Sequence, residues 1–233
     1  LPHSASKICA HKFPKKYIQN IFSYEGENFR YQALYIKRLF NRYKCKVCVL
    51  DGNGIGSGLV DELVLDQDDP DTGETLYGWG VINKYDEDMD RYSRYETVNT
   101  VHDALYVIKA NRELNSSLYA YTQAQLLAGR IRFPISSQVA EANLLSLEKG
   151  KAMTKSQRED FLMPFKQTDI LKLQMLNLII KDDVVGTIVL KQSNSRLPKD
   201  KFSALIYALY WCKMEDEKAG RRKSNLGDFV FFS

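Results

Sequence analysis

Histidine and cysteine are scarce in this chain, three and four among 233 residues. His3, His11 and His102 are too few to anchor a histidine-rich metal centre. Four cysteines cannot build a disulfide framework for a chain this long, which points to a reducing compartment. Cys45 and Cys48 form a C-x-x-C, but in a strand-like run their side chains point to opposite faces, and no second pair completes a zinc site. No apolar run approaches the roughly 18 residues of a membrane span, and no signal peptide opens the chain. Internal repeats and low-complexity linkers are missing too. Neither sign of charge dominates: 33 basic against 29 acidic residues leave +4, compatible with a polyanion on one face without demanding one.

What is present reads as a globular α/β chain. Its 44% hydrophobic and 27% charged content exclude wholesale disorder. "KICAHKF" (7–13) and "KYIQNIFSYE" (16–25) read as two strands of a hairpin around Pro14. Phe29, Ala33, Ile36, Leu39 and Phe40 recur at helical spacing over 28–43. A buried strand follows over 45–50, then a glycine loop and a helix carrying Leu59 to Val64. The acidic stretches 65–74 and 84–92 read as solvated loops, since neither has the order of ligands an EF-hand needs. A helix over 111–129 ends at a glycine, and "RIRFPI" is a strand after it. Helices over 138–147 and 154–180 follow, the second broken near Pro164. "TIVLKQ" is a last core strand, and 198–217 is an amphipathic helix with Phe202, Leu205, Ile206, Leu209 and Tyr210 in one stripe. Together these predict one domain over 1–219 and a tail over 220–233.

The sharpest local signal is "KVCVLDGNGIGSG", in which an apolar run ends on Asp51 and glycines occupy 52, 54, 56 and 58. A dinucleotide loop fails on spacing, because Ser57 stands where the third glycine belongs, and Asp51 would repel a pyrophosphate. A Walker A loop fails for want of Gly-Lys-Ser/Thr. No nucleotide is expected. A carboxylate at the carboxyl end of a strand is, however, a hard oxygen ligand suited to Mg2+ or Mn2+. Glycines beside it let a phosphodiester approach, as two-metal hydrolysis requires. The bland alternative is a solvated Asp opening a tight turn. A second acid, Asp200, stands in the first turn of the last helix between Lys199 and Lys201, where a plain helix-terminal role serves equally well.

Five blocks in register, "YEGENFRYQALYIKRLF", "CVLDGNGIGSGLVDEL", "IKANRELNSSLYAYTQAQLLAGRIRF", "FLMPFKQTDILKLQMLNL" and "KDKFSALIYALY", resemble the C-terminal nuclease domain of the large terminase subunit of tailed bacteriophages. The resemblance covers about residues 7–217. It implies an RNase H-like fold, a mixed central sheet flanked by helices on both faces, with acids at its strand ends holding two Mg2+ or Mn2+ ions. It implies an endonuclease that cuts concatemeric double-stranded viral DNA in the host cytoplasm, at the procapsid portal. The partners it implies are the portal protein, the small terminase subunit and an ATPase domain upstream in the same polypeptide. Asp51 looks like the family's second metal-binding acid and Asp200 like its last. Many relatives place that last acid one turn later, at the position of Ser203. The family's first acid lies on an opening strand before the one that 7–13 resembles, and no matching acid occurs from Leu1 to Phe13; the chain therefore reads as a truncated domain.

Lys199, Lys201, Lys191 and Arg130 are the candidate phosphate contacts, each equally able to be an ordinary surface charge. Arg221, Arg222, Phe229 and Phe231 in the tail are candidate portal contacts, against the alternative of a frayed terminus. Two other function classes stay open: a resolvase or transposase sharing the acids, and a docking module without a complete site of its own.

Overall fold

Asn28 accepts the amide of Tyr31 through its side chain, at 3.1 Å, and so starts the first long helix of the chain. The computed structural model describes residues 15–24, 28–53, 56–86, 88–181 and 186–224, the last five by backbone alone. In chain order the elements are β1 (Lys16–Tyr17), α1 (Phe29–Arg42), β2 (Cys48–Asp51), α2 (Gly56–Leu63), β3 (Gln67–Asp68), β4 (Thr75–Leu76) and β5 (Trp79–Val81). A 3-10 turn (Asp90–Tyr95) leads to β6 (Val101–Ile108). Then come α3 (Arg112–Leu127), β7 (Ile131–Arg132), α4 (Ser137–Leu145), α5 (Glu148–Ala152), α6 (Lys155–Leu176), β8 (Leu178–Lys181), β9 (Val189–Gln192) and α7 (Asp200–Ser224). The fold is mixed α/β.

The central sheet has order β2-β6-β5, and both its pairings are parallel. Strand alternation sends Cys48, Leu50, Leu105 and Val107 to one face, where they pack with Phe29, Ala33, Leu59, Val60 and Leu63 of α1 and α2. Val49, Tyr106 and Ile108 go to the other, against Leu118 of α3 and Phe202, Ile206 and Tyr207 of α7. Helices therefore cover both faces. The described residues form three further two-stranded ladders, β1 with β7, β3 with β4 and β8 with β9.

Several expectations need correcting. The strand over 16–25 ladders only at Lys16–Tyr17, parallel to β7, and its expected partner 7–13 lies outside the described residues. The 45–50 strand begins at Cys48. α6 runs through Pro164 unbroken to Leu176; the ring removes the bond to the Asp160 carbonyl, but Asp160 is exposed to water, and the Thr168 hydroxyl donates to the Pro164 carbonyl at 2.8 Å. Residues 178–181 are then a strand, and β9 pairs with it in a hairpin rather than joining the central sheet. The acidic stretch 65–74 folds into the β3–β4 hairpin and is not simply solvated: Arg38 clamps Asp69, 3% exposed, from α1, and holds its carboxyl down at about 2. The stretch 84–92 buries Met89 and Tyr92. α7 extends to Ser224, so the first residues of the expected tail are helical. Its stripe is as expected at Phe202, Ile206 and Leu209, with Tyr207 buried beside it.

Lys37, on the inner side of α1, is 1% exposed. Its ammonium donates to the carbonyls of Leu65 and Leu76, and burial pushes its pKa down to about 8 against the pull of Asp66 and Glu62. The folded chain thus releases a proton that the unfolded chain, near 10.5, still holds. Stability should rise with pH through this window, by about 2 kcal/mol between about pH 8 and 9.5. Above that range the raised tyrosines, Tyr106 and Tyr207 among them, act in the opposite sense. Urea melts across the window check this, with Lys37→Met expected to flatten the slope.

Candidate active site

Asp51 is the last residue of β2, paired with Ile108 at the carboxyl end of the parallel sheet. Strand alternation puts its side chain on the face covered by α7. Its Oδ1 accepts the Asn53 amide at 3.0 Å, and Asn53 reaches across to the Ala110 carbonyl at 3.3 Å, tying the two strand ends together. The Gly52 amide donates to the Ile108 carbonyl at 2.8 Å. Two of the loop's glycines answer to close packing within the chain itself. A Cβ on Gly56 would lie 1.8 Å from the Asp51 carbonyl oxygen, and one on Gly58 would lie 2.5 Å from the Phe29 ring. Gly54 lies outside the described residues.

α7 runs antiparallel to the strands. Tyr106 meets Tyr210 and Trp211, at ring separations of 6.1 and 5.4 Å, while two residues on, Ile108 shares its cluster with Phe202, Ile206 and Tyr207. The amino-terminal turns of α7 therefore point past the carboxyl end of β2. Asp200, Ser203 and Tyr207 succeed one another at helical spacing on one face. Burial, and then the Asp51 carboxylate, raise the Tyr207 hydroxyl to about 12. Asp200 stands two turns beyond Tyr207, about 10 Å along the axis. It is not the cap of this helix: Gln174 of α6, itself buried, accepts the amides of Lys201 and Phe202 at 3.0 and 3.2 Å.

Two clefts flank the strand ends. One, of about 390 Å³, is lined by Asn53, Ser57, Arg91 and Lys109, and the other, of about 350 Å³, by Asn83, Asp86, Asp88, Lys109 and Tyr210. Lys109 bridges them and pairs with Asp88 at 3.1 Å. Sequence reasoning missed Asn53, Tyr207, Asp86, Asp88 and Lys109. Only Tyr207 had a readable signal, seven residues from Asp200 on the same helix face.

The four candidate phosphate contacts do not form one patch. Lys199 and Lys201 flank Asp200, and the Lys201 ammonium donates to Ser23 Oγ at 2.5 Å. Lys191 is exposed on the outward side of β9, opposite Ile179. Arg130 lies at the far end of α7, because its carbonyl takes the Lys16 amide at 2.8 Å and Lys16 pairs with Asp216 at 2.6 Å. That places it about 24 Å along the helix from Asp200. The side chains of Arg221 and Arg222, and all of Phe229 and Phe231, fall outside the described residues.

Among the described residues no three His, Cys, Asp or Glu side chains gather as a metal centre. Two carboxylates set about two helical turns apart do not bracket a pair of ions about 4 Å from each other. The described residues thus do not fit a complete two-metal site. No family model, curated protein or solved structure matches the chain. Among the described residues, no helix is long and apolar enough to cross a membrane.

Proposed function

We propose that the chain is the nuclease domain of a DNA-packaging terminase, RNase H-like in fold, acting on the phosphodiester backbone of double-stranded DNA. The observation that supports it best is the antiparallel course of α7 along β2, which aims Asp51 and the Asp200–Ser203–Tyr207 face at one edge of the sheet. Carboxyl ends of parallel strands are where ligands enter such sheets. In this reading the Asn53 amide fixes Asp51 and leaves its second oxygen open. Lys199 and the flank of Lys201 take phosphate charge at the start of α7, and Lys191 extends the track. Arg130 stands too far off to touch the same phosphates. The remaining donors of a metal site would come from outside the described residues. Incubating supercoiled plasmid with the chain and manganese should give nicked circles, and a chelator should stop it. Intact plasmid would contradict the reading, and a preference for branched over linear DNA would turn it toward a resolvase.

The misfit to a two-metal site favours one other reading, a module that docks on DNA or the portal without chemistry of its own. Binding without nicking is its signature. In either case affinity should come mostly from phosphates. Replacing Lys199 and Lys201 by Gln should lower the slope of log affinity against log salt by about 2, since each phosphate that is no longer neutralised removes close to one unit. An unchanged slope removes them from the interface.

The tail carries the portal contact in this account, with Arg221 and Arg222 steering the encounter and Phe229 and Phe231 anchoring it. Deleting residues 225–233, just beyond the described helix, should leave DNA binding unchanged and abolish capture by immobilised portal rings. Normal capture by the shortened chain would show the tail to be only a terminus.

A further inference from the structure

The stretch from Lys16 to Tyr24 lies extended along α7 and antiparallel to it. Its ends are fixed by Lys16 on Asp216, 2.6 Å, and by Ser23 under Lys201, 2.5 Å. The lengths agree: seven strand residues cover about 23 Å and fifteen helical ones about 22 Å. Only β1 within this stretch has a ladder partner, β7, and the opposite edge has no backbone partner among the described residues. Between that edge and α7 lies a groove of about 600 Å³, lined by Tyr17, Ile21, Phe22, Leu171, Ala204 and Ala208. Tyr17 and Phe22 are 68% and 40% exposed beside it. The alanines, one turn apart, offer no side chain beyond Cβ, so a backbone can lie close.

We propose that this groove seats the chain's own residues 7–13, laid as a strand between the 16–24 stretch and α7. Three observations commit it to that occupant. Pro14 and Lys15 are the only residues between Phe13 and Lys16, the length of a tight hairpin turn, so Phe13 must start beside Lys16 and Asp216. Seven residues in a strand run about 23 Å, the length of the groove wall from Asp216 to Lys201. Ile8, Cys9, Ala10 and Phe13 supply the apolar side chains that an apolar groove with an open strand edge lacks. The seat completes a β ladder and covers the aromatic side chains at once. It also brings the chain preceding Lys7 out at the Asp200 end of α7, so that anything upstream would enter at the candidate site. The placement stands whether or not the chain cuts DNA.

Ala208 lies eight residues from Asp216, about 12 Å along the helix. The same distance from Phe13 in a strand falls between three and four residues back, beside Cys9. The full chain carrying Ala208→Cys, with Cys45→Ser and Cys212→Ser, tests this. Cys48 is retained because burial pushes its thiol up to about 12. Mild oxidation should link Cys9 to the introduced thiol within one chain, as a monomer that dithiothreitol reverses. A covalent dimer would assign the groove to a second copy, and no link would leave the segment elsewhere; either overturns the proposal. Maleimide labelling of the same thiol gives a second reading. Removing residues 1–14 should raise its rate at least tenfold, and an equal rate with and without them also overturns the proposal.

Discussion

Asp51→Asn should lower manganese-dependent plasmid cleavage by roughly a hundredfold or more while leaving the thermal midpoint unchanged. Loss of one well-placed electrostatic group in an active site is felt on that scale. The fold should survive because the amide oxygen can still accept the Asn53 amide that Asp51 Oδ1 now takes at 3.0 Å. What disappears is the negative charge at the strand end, which also lifts the Tyr207 hydroxyl. A cleavage rate equal to the parent's would remove Asp51 from the chemistry, whatever the fold. Asp200→Asn separates the acids further: Gln174 already caps α7, so a loss of cleavage there cannot be blamed on an uncapped helix.

Gly56→Ala should cost about 3 kcal/mol of stability, the upper part of the range for overpacking. Its Cβ would stand 1.8 Å from the Asp51 carbonyl, a backbone atom that cannot rotate away. The substitution should therefore also displace Asp51 and cost cleavage in proportion. Gly58→Ala meets only the Phe29 ring, at 2.5 Å, and a side chain can yield. It should destabilise less and leave any cleavage by the folded fraction intact. Denaturant melts of both variants, with activity measured well below the midpoint, distinguish the two glycines. Equal costs would show that the loop gives way as freely as the ring.

Local signals carried much of the fold. The Asn28 and Asn111 caps, the apolar stripe of α1, the glycine after α3 and the strand–loop–helix around Asp51 were all legible because their causes lie within a few residues. What stayed hidden depends on distant partners. Asp69 looks like one more acid in a loop until Arg38, thirty-one positions away, is placed on it. Lys37 reads as an outer-face charge of its helix, yet Leu65 and Leu76 draw its ammonium inside. Pro164 signals a break, and only the course of α6 shows that water and Thr168 make it tolerable. At the candidate site the acids could be named from local pattern. Their relation could not, because it depends on the direction in which α7 crosses β2. The glycines, read as room for a ligand, prove at Gly56 and Gly58 to be required by the chain's own packing.

The claim that DNA meets the chain at this edge can be tested by following backbone amides while a short duplex is added without divalent ions. The account predicts shifts that saturate together at Gly52, Asn53 and the Lys199–Ser203 turn, weakening as salt is raised. Shifts confined to the Arg130 end of α7 or to the α1 face, or none at all, would contradict it.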